Sequence, residues 1–331
     1  MAQIVAGTDP RALRYAVAEL RAGRVVAFPT ETVYGLGANA LDEHAVAEVF
    51  AIKNRPWFDP LIVHLPHREA AAWYATELDS RARALMERFW PGPLTLVVKK
   101  RPVIPDLVTA GLDTVALRVP AHPVALALLQ AVKVPIAAPS ANPFGYVSPT
   151  TALHVQELLG DAIDVILDGG PCPVGVESTV CALTEETAVI LRPGGVTVEA
   201  IEAVIGPVAL AEAGRPDARS PGTLPRHYAP HVPVILLAPG EPIPRPPSGA
   251  RVGLLSFSFR AEVEGYSVVE VLSKTGDLCE AATNLFAALR RLDRAGLERI
   301  VVEPVPESGI GRAIMDRLRR AAARASLPEG R

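Results

Sequence analysis

The chain has 331 residues, 49% of them apolar, which is comfortable for two domains with real cores. Its net charge of −3 argues against a dedicated nucleic-acid binder, which carries a clear basic excess, while leaving room for a local basic pocket. The N-terminus lacks the charged head and apolar core of a signal peptide, and no apolar run approaches the ~18 residues of a membrane helix, so a cytoplasmic protein is expected. Residues 12–22 read as a helix stopped at Gly23. RVVAFPT is a buried strand ending at Pro29, followed by a glycine-bearing loop. A helix over 42–53 opens with Asp42 as its N-cap, LIVHL (61–65) is a short strand, and a helix over 80–90 stops at Pro91. LTLVVKK, TVALRVP and VPIAAPS read as strands, with the helix HPVALALLQAV between the last two. DVILDGG, STVCALT and AVILRPG are three more.

Alternating strands and helices predict one α/β domain over 1–205. The pattern breaks at 206–232, a Pro/Gly-rich stretch that reads as a linker. Strands at VPVILLA, RVGLLSF, YSVVEVL and RIVVEPV, with helices near 277–294 and 311–324, predict a smaller α/β domain over 233–331 with parallel, buried strands. The loop 239–249 inside it is stiff and exposed. Cys172, Cys181 and Cys279 are too few and too scattered for a disulfide framework or a zinc site.

Several clusters hold side chains suited to chemistry. FPTETVYGLGANA (28–40) crowds Thr30, Glu31, Thr32 and Tyr34 at a strand end, where α/β proteins place ligands. Its G-x-G-x-x-A imitates a dinucleotide fingerprint, but the glycines do not directly follow the strand and no acidic residue closes a second strand ~20 residues on. No G-x-x-x-x-G-K-[ST] loop is present either. Lys53 and Arg55 end a helix, a position that suits dipole compensation or a phosphate clamp. His64 lies in an apolar strand, where a satisfied core histidine is the commoner outcome. In DTVALRVP, Thr114, Ala116 and Arg118 share one strand face. A buried Arg118 needs an anionic partner, either an internal carboxylate or a substrate's. IAAPSANPFGYVSPT (136–150) offers Ser140, Asn142 and Ser148, with Ser148 or Thr150 also suited to cap a helix after Pro149. Glu177, Ser178 and Thr179 end a polar loop beside a strand carrying Arg192, and the linker holds Arg226, His227 and Tyr228. Cations, hydroxyls and backbone-rich loops of this kind suit positioning and charge neutralisation on phosphates.

In order and spacing, PTETVYGLGANA, K-x-R before DPLIVH, WPGPLT, LRVP, PSAN, ESTV and ILRPG resemble the YrdC-type threonylcarbamoyl-AMP synthases. SPGTLPRHYAPH resembles the linker of the long form, which carries a second, Rossmann-like domain. The resemblance implies an open twisted α/β sheet around a basic cavity, plus a smaller Rossmann-like α/β domain. It implies a nucleotidyltransferase that joins L-threonine, bicarbonate and ATP, with Mg²⁺ accompanying the nucleotide, into threonylcarbamoyl-AMP and pyrophosphate. The product would pass to a tRNA threonylcarbamoyl transferase for adenosine 37, so tRNA is an indirect partner and no membrane is involved. By the same resemblance, Thr32, His64, Arg118 and Ser178 would hold threonine, with Arg118 on the carboxylate. Arg55, Asp59, Thr114, the Ala138 backbone, Ser140, Ser148, Arg192 and Tyr228 would hold ATP. Lys53, facing the phosphates, and Arg55 would be catalytic. Asp59 stands where many members have Asn, which sets an acid near phosphates. An RNA-binding module using the basic cavity, and carbamoyl transfer to another acceptor, are the competing readings.

Overall fold

The protein is described here by a computed structural model covering residues 1–211, 217–222, 224, 227–259 and 263–323. Two sheets organise it. The larger has eleven strands, in the order Gln3–Ala6, Val165–Asp168, Val26–Phe28, Gly35–Asn39, Ile136–Ala137, Ile62–His64, Thr114–Arg118, Leu94–Lys99, Thr179–Ala182, Val189–Arg192, Ala209–Leu210. It mixes parallel and antiparallel pairs. The smaller is all parallel, in the order Val234–Leu236, Arg299–Val302, Val252–Ser256, Val268–Val271.

The helices begin where short polar side chains satisfy free backbone N–H groups. Asp42 accepts from His44 and Ala45 at the start of Glu43–Lys53. Asp9 caps Pro10–Arg21, Asp79 caps Ser80–Phe89 and Asp277 caps Leu278–Asp293 in the same way. After Pro149 the capping residue is Thr151, not Ser148 or Thr150, and the helix is Ala152–Leu159.

The expected glycine loop after Phe28 is a hairpin instead. Gly35–Asn39 pairs antiparallel with Val26–Phe28, Phe28 opposite Gly35 and Val26 opposite Gly37. A Cβ on Gly37 would lie 2.7 Å from both the Phe28 ring and the Ile136 side chain. This glycine therefore serves close packing of a strand, which is a second physical reason for glycine besides a phosphate loop. The hairpin turn holds Thr30 and Thr32, whose hydroxyl oxygens lie 2.8 Å apart. Ala209–Leu210, placed in the linker from the sequence, pairs with Val189–Arg192 and extends the larger sheet by a last short strand.

The helices Leu278–Asp293 and Gly311–Ala322 pack on the smaller sheet and also reach across to the larger unit. Their apolar cluster takes in Val33, Val147, Val176 and Tyr228 beside Phe286, Leu289 and Leu318. Arg290 donates to the Val147 carbonyl at 2.8 Å, and Tyr146 donates to Asp293 at 2.6 Å. Cys172 and Cys181 are buried, Cys279 is exposed, and all three are free.

Gly194 sits where the strand carrying Arg192 crosses the 177–179 loop. A Cβ there would lie 2.3 Å from the Glu177 carbonyl oxygen and the Thr179 nitrogen, both backbone atoms that cannot swing away. Gly194→Ala should cost about 1–3 kcal/mol or more, seen as a lowered melting temperature together with reduced activity; an unchanged melting temperature would show that the two segments have room to separate.

Candidate active site

A pocket opens over the middle strands of the larger sheet. Its walls include Thr30, Thr32, Gly35, Arg55, Ile62, His64, Arg118, Ala138, Ser140, Glu177, Ser178, Arg192, Pro221, Gly222, His227 and Tyr228. Strand register explains the grouping. His64 lies opposite Arg118 in a parallel pair, Ala138 follows the strand that pairs with Ile62–His64, and Gly35 bridges to Ser140. Nine of the thirteen residues to which the resemblance gives a role line it: Thr32, Arg55, His64, Arg118, Ala138, Ser140, Ser178, Arg192 and Tyr228.

The other four stand elsewhere. Lys53, expected to face phosphates, is buried and spends its ammonium on the carbonyls of Ser140 (2.6 Å) and Asn142. It braces the 140–142 loop from behind. Burial, then the neighbouring Arg55, pushes its pKa well below the usual lysine range. Asp59 is not a wall either. Its Oδ2 lies 3.0 Å from Arg55 Nη2, close enough for an ion pair but without hydrogen-bond geometry. Ser148 is fully buried and donates to Glu177 Oε1 at 2.6 Å. Thr114 shares a strand face with Arg118 but lies four residues down the strand, about 13 Å away, opposite Lys99. Arg226 lies outside the described residues.

Arg118 finds its buried partner inside the protein. Nη2 donates to Glu31 Oε1 at 2.6 Å, Nη1 to Thr32 Oγ1 at 3.1 Å and Nε to the Gly92 carbonyl at 3.2 Å. Of the two partners that the sequence left open for this buried charge, the internal carboxylate is in place. Glu31 also accepts from the Ala121 N–H at 3.0 Å, so both its oxygens are used. Arg55 donates to the carbonyls of Asp59 (2.9 Å) and Pro60 (2.7 Å), which fixes its guanidinium against the wall. Arg192 donates to the carbonyls of Ser178 and Pro221, both at 2.9 Å. Its Nε has no partner, and no carboxylate pairs with it among the described residues. Ser178 Oγ is 2.8 Å from Thr95 Oγ1.

The linker closes one side. Tyr228 is buried in a left-handed backbone conformation, φ 59°, with its ring stacked on Phe286 and its hydroxyl unpaired. Gly222 lies so close that a Cβ would meet the Tyr228 hydroxyl at 2.2 Å and Arg192 Nη1 at 3.1 Å. His227 is buried beside these cations. Burial first, then Arg55 and Lys53, pushes its pKa well below the histidine range, so its ring is neutral.

His64 is also neutral. Burial, then Arg118, brings its pKa from 6.5 down to about 3, and its Nδ1 has no partner within the protein. With the folded pKa below the unfolded one, the unfolded chain takes up the proton first as pH falls. The stability that neutral His64 contributes is complete above pH 6.5 and is lost as pH falls toward about 3. His64→Gln should therefore flatten the fall of melting temperature with acidification across that window; an unchanged slope would mean that the ring is protonated without cost.

A family model described as "Telomere recombination", of the Sua5, YciO and YrdC proteins, matches residues 18–194. A second, described as the C-terminal domain of threonylcarbamoyl-AMP synthase, matches residues 196–323. The chain is 46% identical over 322 residues to the threonylcarbamoyl-AMP synthase of Pyrococcus abyssi, covering 94% of each. It is 44% identical to that of Bacillus subtilis, covering 95% of this chain and 93% of the relative. The crystal structure of P. abyssi Sua5 complexed with L-threonine superposes with a TM-score of 0.86 at 44% identity, covering 94% of both chains. Two matched domains, full-length relatives and a pocket built from the quoted motifs lead to one statement: this chain belongs to the Sua5/YrdC family of threonylcarbamoyl-AMP synthases, in the long form with a C-terminal domain.

Proposed function

We infer that this protein makes threonylcarbamoyl-AMP from L-threonine, bicarbonate and ATP, releasing pyrophosphate. The observation that carries the reading is Arg192, a buried pocket guanidinium with no carboxylate partner among the described residues. A buried cation in that condition is costly until an anion arrives. Arg55 joins it on the wall, with its own charge only partly offset by Asp59. Two guanidiniums held by backbone carbonyls form a preorganised clamp for phosphate oxygens.

Threonine would occupy the Thr32, His64, Arg118 and Ser178 side. Arg118 keeps Glu31 behind it and would offer the second N–H of each terminal nitrogen to the carboxylate of the amino acid. A neutral His64 suits this place, since it adds no further positive charge beside Arg118. Threonine's amine and bicarbonate form a carbamate with loss of water. A carbamate oxygen then attacks the α-phosphorus in line, and pyrophosphate leaves carrying the bond's electron pair. The Ala138 backbone and Ser140 would hold the nucleotide, with Lys53 keeping that loop in place. Asp59 and Ser148 would act through Arg55 and Glu177, which they contact, and Thr114 is left without a part in the reading. Magnesium would enter as part of the ATP complex; no group of three or more His, Cys, Asp or Glu among the described residues could hold it alone. Water exclusion by Pro221, Gly222, His227 and Tyr228 on the pocket wall would protect a product that hydrolyses easily.

The product is an activated carbamoyl group, which calls for an acceptor enzyme; transfer to adenosine 37 of tRNA is the proposed fate. No described helix is long and apolar enough to cross a membrane, and a cytoplasmic site of action is proposed with it. Pyrophosphate release should require ATP, threonine and bicarbonate together. Release without added bicarbonate in CO₂-free buffer would point instead to simple aminoacyl adenylation, and no release would defeat the reading. Arg118→Lys keeps the charge but loses the fork, and should raise the threonine KM by about tenfold or more while moving the ATP KM far less. Equal effects on both substrates would take Arg118 off the threonine side.

A further inference from the structure

The helix Gly311–Ala322 belongs to the smaller unit, yet one of its side chains reaches the wall of the pocket. Arg317 is fully buried. Its Nε donates to Glu177 Oε2 at 2.9 Å and its Nη1 to the Pro193 carbonyl at 2.8 Å. Its guanidinium lies 5.0 Å from the centre of the Tyr228 ring. One group thus touches three parts of the site: the loop carrying Glu177, the residue after Arg192, and the strap over the pocket.

Glu177 gives this contact its importance. It is the only acid among the described pocket walls, where the other permanently charged side chains are Arg55, Arg118 and Arg192. A carboxylate facing a site for phosphates repels its ligand unless a cation is tied to it. Here Oε1 accepts from Ser148 and Oε2 from Arg317, so the charge is drawn back and matched from behind. Arg317 also pairs with Asp316 at 2.7 Å, but Asp316 has a second cation in Arg320 at 3.0 Å. Removing Arg317 would leave Asp316 paired and Glu177 with a hydroxyl alone.

We propose that Arg317, supplied by the C-terminal domain, is a positioning residue for the nucleotide half of the pocket. It neutralises Glu177 and fixes Pro193 and the Tyr228 ring, so the ATP site is complete only with the C-terminal helices docked. This rests on the reading of the pocket as an ATP site.

The test is steady-state pyrophosphate release with the full chain, measured for Arg317→Met and Arg317→Lys, each alone and combined with Glu177→Gln. Arg317→Met should raise the ATP KM by about tenfold or more and the threonine KM by less than about threefold. Adding Glu177→Gln should recover much of that loss, because the exposed charge is gone. Arg317→Lys should fall between. A residue that only packs would lower stability and impair both substrates alike, with no recovery in the double variant; that result, or an ATP KM within about twofold of the unaltered protein, overturns the proposal. If Arg317→Met does not fold, the Lys variant with and without Glu177→Gln carries the same comparison. The unaltered protein separates the two failures: no threonine-dependent release sinks the ATP reading itself, whereas normal release with insensitive variants sinks only the role of Arg317.

Discussion

Too many buried cations for the buried carboxylates around them is the constraint on which the rest of this structure depends. Lys53, Arg55, Arg118 and Arg192 are between 1% and 6% exposed, which in water-free surroundings is tolerable only if each is tied down. Glu31 answers Arg118, Asp59 answers Arg55, and backbone carbonyls serve Lys53 and Arg192. The carbonyl contacts hold the groups in place without cancelling their charge. Net positive potential therefore survives at the pocket, and its geometry is set before any ligand arrives. Much of the loop architecture follows: the 140–142 turn is shaped around an ammonium, and the 220–222 segment around a guanidinium.

Much of the site was legible because the motifs place hydroxyls and cations at strand ends, and strand register then brings them together. Arg118 and His64 meet because they are register partners, a relation that alternation of side chains makes predictable once the strands are paired. What the sequence hides is direction along and behind the walls. Thr114 and Arg118 share a face, but they stand at opposite ends of a five-residue strand, two pleats apart. Lys53 reads as a phosphate ligand by its neighbours in the chain, yet a long flexible side chain can turn either way from a helix end. Glu31 was visible as one more polar residue in a crowded turn, and nothing local marks it as the partner of a residue on another strand. The first strand, Gln3–Ala6, and the hairpin strand Gly35–Asn39 were missed for a related reason. Short strands carry little alternation, the second of these bears two glycines besides, and only pairing makes them strands. Arg317 had no signal at all, sitting in a helix that also bears Arg312, Arg319 and Arg320.

The smaller unit is more than an appendage. A four-stranded parallel sheet with two helices has one natural place to bury the helices, on the sheet. Here their outer faces are covered as well, by Val33, Val147, Val176 and Tyr228 of the larger unit and its strap. Val33 adjoins Thr32, Val147 adjoins Ser148 and Val176 adjoins Glu177, so each apolar contact abuts a polar residue at or just behind the pocket wall. Packing between units and geometry at the site are thus carried by adjacent residues of the same loops.

That adjacency has a consequence for descent. When one set of loops serves a ligand on one side and a neighbouring domain on the other, the two domains cannot be exchanged as modules. A C-terminal unit taken from a distant relative would arrive with helix faces shaped for different loops, and a substitution in those loops would be judged twice, once by chemistry and once by fit. The long form is therefore expected to pass through evolution as a single heritable piece, its domains drifting in step despite having separate sheets.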